Sequence, residues 1–164
     1  MRLLKLAVIS IVVFFLLFTV MGTLFPSNVV VSRAINISAS PEKISRFIAD
    51  YNQWNEWMQG AKTSELKVVS KDSIKAYFGN IIISLKEHKD YTWVHEWKGR
   101  SNTQVSTFRI IPSGEVSTIA WKFEEHLRWY PWEKLGSIMS DKILGTSMEQ
   151  SLDNLKLAAE KVSN

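Results

Sequence analysis

The chain has 164 residues, a formal net charge of +4, 46% hydrophobic residues and no cysteine. A chain of this length holds one ordinary domain, and the lack of cysteine excludes disulfides and thiolate chemistry. Its 20 basic and 16 acidic residues are interspersed, so the sequence lacks the basic stripe of a nucleic-acid-binding protein, and no nucleic-acid partner is expected.

The first predicted element is an apolar helix, Leu6 to Phe25, without an ionisable side chain. At about 1.5 Å per residue it is long enough to cross the hydrocarbon core of a bilayer. A cleaved signal peptide has a shorter apolar core and a small-residue cleavage site, which Val20-Met21-Gly22 matches poorly. The sequence therefore favours a retained transmembrane anchor over a cleaved signal. We expect the anchor to comprise residues 1–25 and a single domain to comprise residues 26–164.

The basic residues near this helix predict its orientation. Arg2 and Lys5 precede the helix, whereas the next basic residue, Arg33, lies well beyond its end. The positive-inside rule then puts the N-terminus in the cytoplasm. We expect a single-pass membrane protein whose domain is extracytoplasmic.

A strand and two short helices are predicted next. Asn28 to Ser38 is rich in β-branched residues, as strands are. A helix begins at Ser40-Pro41-Glu42, which supplies a cap, a fixed φ and a charge that complements the helix dipole. The spacing of Trp54, Trp57 and Met58 predicts a second short helix.

The hydrophobic period is two from Glu65 to Leu127, where turn signals divide the segment into six strands. Short connections make consecutive strands antiparallel, so that with the first strand we predict a seven-stranded antiparallel sheet. After Pro131 the period returns to 3.6 and predicts a long C-terminal helix, with a kink or break near Gly145.

Ile35 to Trp57 runs from a strand into a Pro-Glu helix start and a D-x-x-x-W-x-x-W turn, and Thr118 to Trp121 and Gly145 to Lys156 form a closing strand and helix. These segments resemble the START-like superfamily, also called the polyketide cyclase/dehydrase or SRPBCC family. The resemblance implies an α+β helix-grip fold, a sheet curved around the last helix with an apolar cavity between them. It implies less about chemistry, since members bind lipids, sterols and polyketides and only some are enzymes.

Aromatic side chains share one face of two predicted strands, a pattern typical of an apolar pocket with a few polar groups. An ordinary core packed against the last helix gives the same pattern and remains the alternative. The residues predicted to contact a ligand are Trp54, Trp57, Tyr91, Trp93, His95, Trp97, Ile119, Trp121, Phe123, Glu125, Met139 and Met148.

His95 and Glu125 lie on these inward faces, where they would be able to meet as an acid/base pair. A structural, hydrogen-bonded histidine explains the same pattern, and the sequence favours it. His88 and His126 have the opposite parity from the aromatic faces, so no metal site is predicted. The chain also lacks the nucleotide-binding and hydrolase motifs, and no cofactor is predicted.

Trp129-Tyr130-Pro131-Trp132 is an aromatic cluster between the last strand and the last helix. It suits either a membrane interface or a cap over the open end of the core, and the cap is favoured.

We therefore expect a membrane-anchored protein that binds a hydrophobic small molecule, lipid-like or polyketide-like, without catalysis. The alternatives are a cyclase- or hydratase-like enzyme using His95 and Glu125, and an interaction module with a filled core. The sequence names no protein partner. An empty cavity of several hundred Å³ would separate the first two functions from the third.

Overall fold

The computed structural model describes residues 2–24, 27–61, 67–68, 75–100, 102–127 and 130–161. The predicted order of strand, short helices, strands and long helix is present. In chain order the elements are α1 (Arg2–Leu24), β1 (Asn28–Ile37), α2 (Pro41–Ala49), a 3-10 turn (Tyr51–Gln53), α3 (Trp54–Trp57), β2 (Lys67–Val68), β3 (Lys75–Phe78), β4 (Ile81–Lys89), β5 (Thr92–Lys98), β6 (Thr103–Ser113), β7 (Val116–His126) and α4 (Pro131–Lys161).

Helix α2 begins where the sequence predicts. The hydroxyl of Ser40 accepts a hydrogen bond from the N–H of Lys43 at 3.4 Å, and Pro41 takes the first helical position, where its missing N–H costs nothing. The helix contacts β6 and α4. Its buried face consists of Ile44, Phe47 and Ile48.

The strands form one antiparallel sheet in the order β1-β7-β6-β5-β4-β3-β2. Strand β1 pairs with the last strand, from Asn28 opposite His126 to Ile37 opposite Ser117. The predicted α+β class, antiparallel sheet and C-terminal helix are confirmed, but seven full strands are not. Six strands have four residues or more, whereas β2 has only two.

A β-bulge between Leu85 and Glu87 shifts the register of β4. As a result His88 lies opposite Trp93, and the two rings stack with their centroids 4.8 Å apart. The predicted parity of His88 is therefore wrong, because a bulge adds one residue to a strand and reverses which face the later residues occupy.

Helix α4 is continuous from Pro131 to Lys161, so Gly145 does not break it. Its contacts with β1, α2 and α3 hold it against the rest of the domain. The N–H of Gln59, just beyond α3, donates to the hydroxyl of Ser151 at 2.9 Å. The buried apolar face of its second half consists of Met148, Leu152, Leu155 and Ala159.

The N-terminal helix α1 is apolar and largely uncovered. Its segment Arg2–Val20 has a mean hydropathy of 2.8, none of it is buried, and it is long enough to cross a membrane. Near its end, Gly22 is buried and α1 contacts α4. Strand β1 starts at Asn28, a few residues after α1 ends.

Candidate functional site

The aromatic faces predicted for β5 and β7 point into the domain. Trp93, His95 and Trp97 are buried on β5, while the residues between them are only partly buried. Ile119, Trp121 and Phe123 are buried in the same way on β7. The alternation of the two strands is therefore as predicted.

Much of this interior is filled by rings in contact with one another. Trp54 lies with its ring centroid 4.6 Å from that of Tyr51 and 6.0 Å from that of Trp97. Phe108 of β6 stacks on Trp121 at 4.7 Å and also contacts Trp57. Contacts at these distances are those of a packed aromatic core.

Trp54 and Trp57 belong to this core and not to the rim of a pocket. Both are at most 1% exposed. Their indole N–H groups donate to backbone carbonyls of α2, Trp54 to Ile48 at 3.0 Å and Trp57 to Phe47 at 3.1 Å. These bonds satisfy the only polar atom of each ring and join α3 to α2.

An empty space of about 250 Å³ lies between one edge of the sheet and the middle of α4. We call it the edge cavity. Of the predicted ligand contacts whose side chains the structure describes, Phe123 and Glu125 line it and the others do not. The lining residues are Val29, Val31, Gln104, Phe123, Glu125, Ile143, Leu144 and Ser147.

The walls of the edge cavity come from four elements with different roles. Val29 and Val31 project from alternate positions of β1, and Phe123 forms part of the wall from β7. The Phe123 ring is backed by Trp97 and Trp121, at centroid distances of 5.2 and 5.3 Å. The predicted tryptophans therefore support the wall from behind.

Polar groups gather on one side of the cavity around Glu125. Its Oε2 accepts from Nε2 of Gln104 at 2.8 Å, and its Oε1 accepts from Nδ2 of Asn102 at 2.8 Å. Gln104 lies directly opposite Glu125 in the sheet. Two neutral amides thus fix the orientation of the carboxylate.

His95 is not part of this polar group. It is 1% exposed, and its ring contacts those of Tyr51, Trp54 and Phe108 at 5.6, 5.3 and 5.7 Å. Burial lowers the pKa of His95 to about 3, so the ring is neutral at ordinary pH. Its Nδ1 has no hydrogen-bond partner among the described residues. The acid/base pair with Glu125, which the sequence left only as the alternative to a structural histidine, is therefore not formed.

The remaining predicted residues are spread over the domain. The hydroxyl of Tyr91 donates a hydrogen bond to Oε1 of Glu42 at 2.8 Å, and this bond raises the pKa of Tyr91. Met148 is buried in the core. The side chain of Met139 and the residue Trp129 lie outside what the structure describes. Within the described residues, His, Asp and Glu form no group of three or more able to hold a metal ion.

Six residues of the edge cavity were missed by sequence reasoning: Val29, Val31, Gln104, Ile143, Leu144 and Ser147. Val29 and Val31 carry the same alternation as the aromatic strands, but a valine looks like ordinary core. Ile143 is 65% exposed and Ser147 is polar, so neither residue would be recognised from the sequence as part of an apolar wall. Gln104 had the clearest signal, a polar residue two positions before the buried Ser106 on an otherwise alternating strand.

A second depression, of about 340 Å³, lies between α2, α3 and α4. Its walls include the charged residues Glu56 and Lys161, and Leu157 beside them is 55% exposed. A surface of this kind suits an apolar ligand less well than the edge cavity.

The family follows from a sequence comparison that covers most of the chain. Residues 28–160 match the model of the family described as polyketide cyclase / dehydrase and lipid transport. The chain belongs to this family. The match begins at the first residue of β1 and ends one residue before the last residue of α4, so the family's domain and the folded unit coincide.

Solved structures agree with the family assignment in fold. A START superfamily protein from Mycobacterium smegmatis has a TM-score of 0.62 at 15% identity, covering 82% of this chain and 99% of that one. A conserved protein from Geobacillus kaustophilus gives 0.62 at 13% identity, with 81% and 96% covered. A protein from Thermobifida fusca gives 0.65 at 11%, with 82% and 95% covered. No curated protein sequence matches the chain.

Proposed function

We propose that this polyketide cyclase/dehydrase-family domain binds a hydrophobic small molecule in the edge cavity while α1 holds it at a membrane. The observation that carries the proposal is the cavity itself, about 250 Å³ of empty space with mostly apolar walls and one cluster of polar groups. Small-molecule sites have this composition, because apolar walls supply affinity and a few polar groups fix the ligand's orientation.

The proposed ligand contacts are Phe123 and Glu125, together with the lining residues from β1 and α4. Trp97 and Trp121 act through the Phe123 ring that they support. Because the aromatic core behind them is packed, the ligand occupies the edge of the domain and not its centre.

The membrane part of the proposal rests on α1. A segment with a mean hydropathy of 2.8 and no burial within the protein is costly to expose to water, and a bilayer removes that cost. We keep the division into an anchor, residues 1–25, and a domain, residues 26–164. The basic residues before α1 favour a cytoplasmic N-terminus and an extracytoplasmic domain.

Anchoring would bring the edge cavity close to the lipid surface. Leu24 ends α1, and Val29 of the cavity wall follows five residues later, a stretch that spans at most about 18 Å. The contact between α1 and α4 brings the anchor to the helix that supplies the other wall. A ligand able to partition into the bilayer would therefore have a short path to the cavity.

Catalysis is not favoured by these positions. Glu125 is held by amides at the cavity and His95 is enclosed by rings in the core, so the two groups suggested for proton transfer do not act on one substrate atom. An interaction module remains the outcome if the cavity takes no small molecule.

Photo-crosslinking on the full chain in lipid nanodiscs tests the proposal. The probe is a neutral long-chain alcohol with a diazirine in its alkyl chain, and labelled peptides are located by mass spectrometry. We expect label on the peptides that contain Phe123 and Ile143 to Ser147. Label confined to α1, which any lipid-like probe will contact, would contradict binding in the cavity.

A matched pair of variants makes this test specific. Ser147→Phe adds a ring on the cavity side of α4, whereas Thr146→Phe adds the same ring at the adjacent, exposed position. We expect Ser147→Phe to abolish labelling of the Phe123 peptide and Thr146→Phe to leave it unchanged. Equal labelling in both variants would contradict the proposal.

A further inference from the structure

We infer that the edge cavity selects an amphiphile whose head group donates hydrogen bonds, an ammonium or a hydroxyl, over one whose head group is a carboxylate. The inference rests on the proposed function, because it concerns which ligand the same cavity takes. Its basis is the hydrogen-bonding capacity that the polar side chains of the wall have left once their internal bonds are counted.

Glu125 supplies a negative charge that the surrounding protein does not balance. Each of its oxygens accepts one amide N–H, from Asn102 and from Gln104, and each has a further lone pair available. Among the described residues, the ion pairs of Lys and Arg go to other carboxylates, as in Lys86 with Glu96 and Lys122 with Glu124. Among the described residues Glu125 therefore has no cationic partner, and it keeps free acceptor sites beside the cavity.

The neighbouring polar residues add acceptors more than donors. Gln104 gives one amide N–H to Glu125, which leaves its carbonyl oxygen as an acceptor and a single N–H as a donor. The hydroxyl of Ser147 donates to the carbonyl of Ile143 at 3.1 Å, so that its remaining capacity is to accept. No described lining residue carries a positive charge.

This excess of acceptors over donors makes the cavity favour a head group that donates hydrogen bonds. An ammonium or hydroxyl head would donate to Glu125 and to the free acceptors, and a charge-assisted bond is about twice as strong as a neutral one. A carboxylate head would be removed from water next to a like charge and would find almost no donors, which disfavours it. The apolar walls make the same contacts with the chain of either ligand.

Competition against the diazirine alcohol in nanodiscs measures the preference on the full chain. The competitors are decylamine, decanol and decanoate, which share one alkyl chain and differ in the head group. We compare wild type with Glu125→Gln, which removes the charge but keeps the shape. Glu124→Gln is the control, since it makes the same change one residue away on the outward face, where Glu124 pairs with Lys122. For any one competitor, partitioning into the nanodisc lipid is the same with all three proteins, so differences between the proteins report binding.

The expected order of competition in the wild type is decylamine, then decanol, then decanoate. Glu125→Gln should weaken decylamine about tenfold relative to the Glu124→Gln control and should strengthen decanoate. The inference is overturned if decanoate competes as well as decylamine in the wild type, or if Glu125→Gln leaves the order unchanged while thermal melting shows it folded. Failure of the proposed function looks different, because then the diazirine alcohol labels no cavity peptide in any sample.

Discussion

The guanidinium of Arg33 on β1 lies directly over the backbone of Gly145 on α4. Its Nε donates to Glu149 at 2.6 Å, and its Nη1 lies 3.7 Å from a carboxylate oxygen of Asp141. These two acids stand one turn on either side of Gly145. A Cβ at position 145 would approach Cζ of Arg33 to 2.8 Å. Glycine at position 145 thus leaves the space that a side chain from the sheet occupies, within a helix that continues through it.

The Arg33 and Gly145 contact predicts a coupled effect on stability. Gly145→Ala gains about 1 kcal/mol of helix propensity, but it displaces a partly exposed ion-pair network worth less than about 1 kcal/mol. The two effects nearly cancel in the wild type. In an Arg33→Ala background the displacement has no cost, so Gly145→Ala should stabilise by about 1 kcal/mol. Urea unfolding in detergent, followed by tryptophan fluorescence, measures the free energy of unfolding of each variant. An equal effect of Gly145→Ala in the wild-type and Arg33→Ala backgrounds would refute the coupling.

The C-terminal helix provides a second prediction through two leucines two residues apart. Leu155 is fully buried and Leu157 is 55% exposed. Leu155→Asp puts an unpaired carboxylate into the core at a cost of several kcal/mol, comparable to the stability of a small domain. We expect Leu155→Asp, like Leu152→Asp, to unfold the domain and Leu157→Asp to melt close to wild type. Cooperative melting of Leu155→Asp within a few degrees of wild type would show that α4 is misplaced.

His95 predicts how stability depends on pH. Burial lowers the pKa of His95 to about 3 in the folded domain, whereas in the unfolded chain it is about 6.5. Between these values the unfolded state binds the extra proton, so stability falls as the pH falls below 6.5. From pH 7 to pH 5 this one group should cost about 2 kcal/mol.

The variant His95→Phe isolates that contribution. It keeps a ring among the three aromatic neighbours of His95 but removes the titrating group, so the loss of stability from pH 7 to pH 5 should shrink by about 2 kcal/mol. His126→Gln, at an exposed position, is the control and should retain the wild-type dependence. An unchanged pH profile in His95→Phe would mean that the imidazole is solvated.

The behaviour of α1 gives a fourth prediction. The full-length protein should stay with membranes after a carbonate wash, and its N-terminus should remain intact. Val12→Asp combined with Val13→Asp puts two charges in the middle of the apolar segment and should release much of the protein, because each charge costs about 3 kcal/mol at that depth. A mature N-terminus near Thr23 would instead identify a cleaved signal.

Much of the fold could be predicted from the sequence because local rules apply to it. Ser40-Pro41-Glu42 marks a helix start whatever lies around it, and alternation along β5 and β7 gives the inward faces directly. The bulge at Leu85 could not be predicted, since one inserted residue leaves no compositional trace and yet reverses the face of His88.

The candidate site was predicted less well, because a cavity is what packing leaves empty. The sequence indicates that Trp121 points inward, but not that Phe108 and Trp57 fill the space beside it. Trp121→Ala is therefore a poor test of ligand binding. Removing a core aromatic ring typically costs 3–5 kcal/mol, or about the whole stability of a domain. The described side chains that line the edge cavity come from β1, β6, β7 and α4, which range from residue 29 to residue 147, and no local pattern reveals such a combination.

Native mass spectrometry of the full-length protein, released from purified membranes without added lipid, tests the central claim most directly. The account predicts a protein peak carrying one small molecule, lost in Ser147→Phe and retained in Thr146→Phe. Only the bare protein mass in the wild type, together with no cavity labelling by the diazirine alcohol, would contradict a ligand site between β1, β7 and α4.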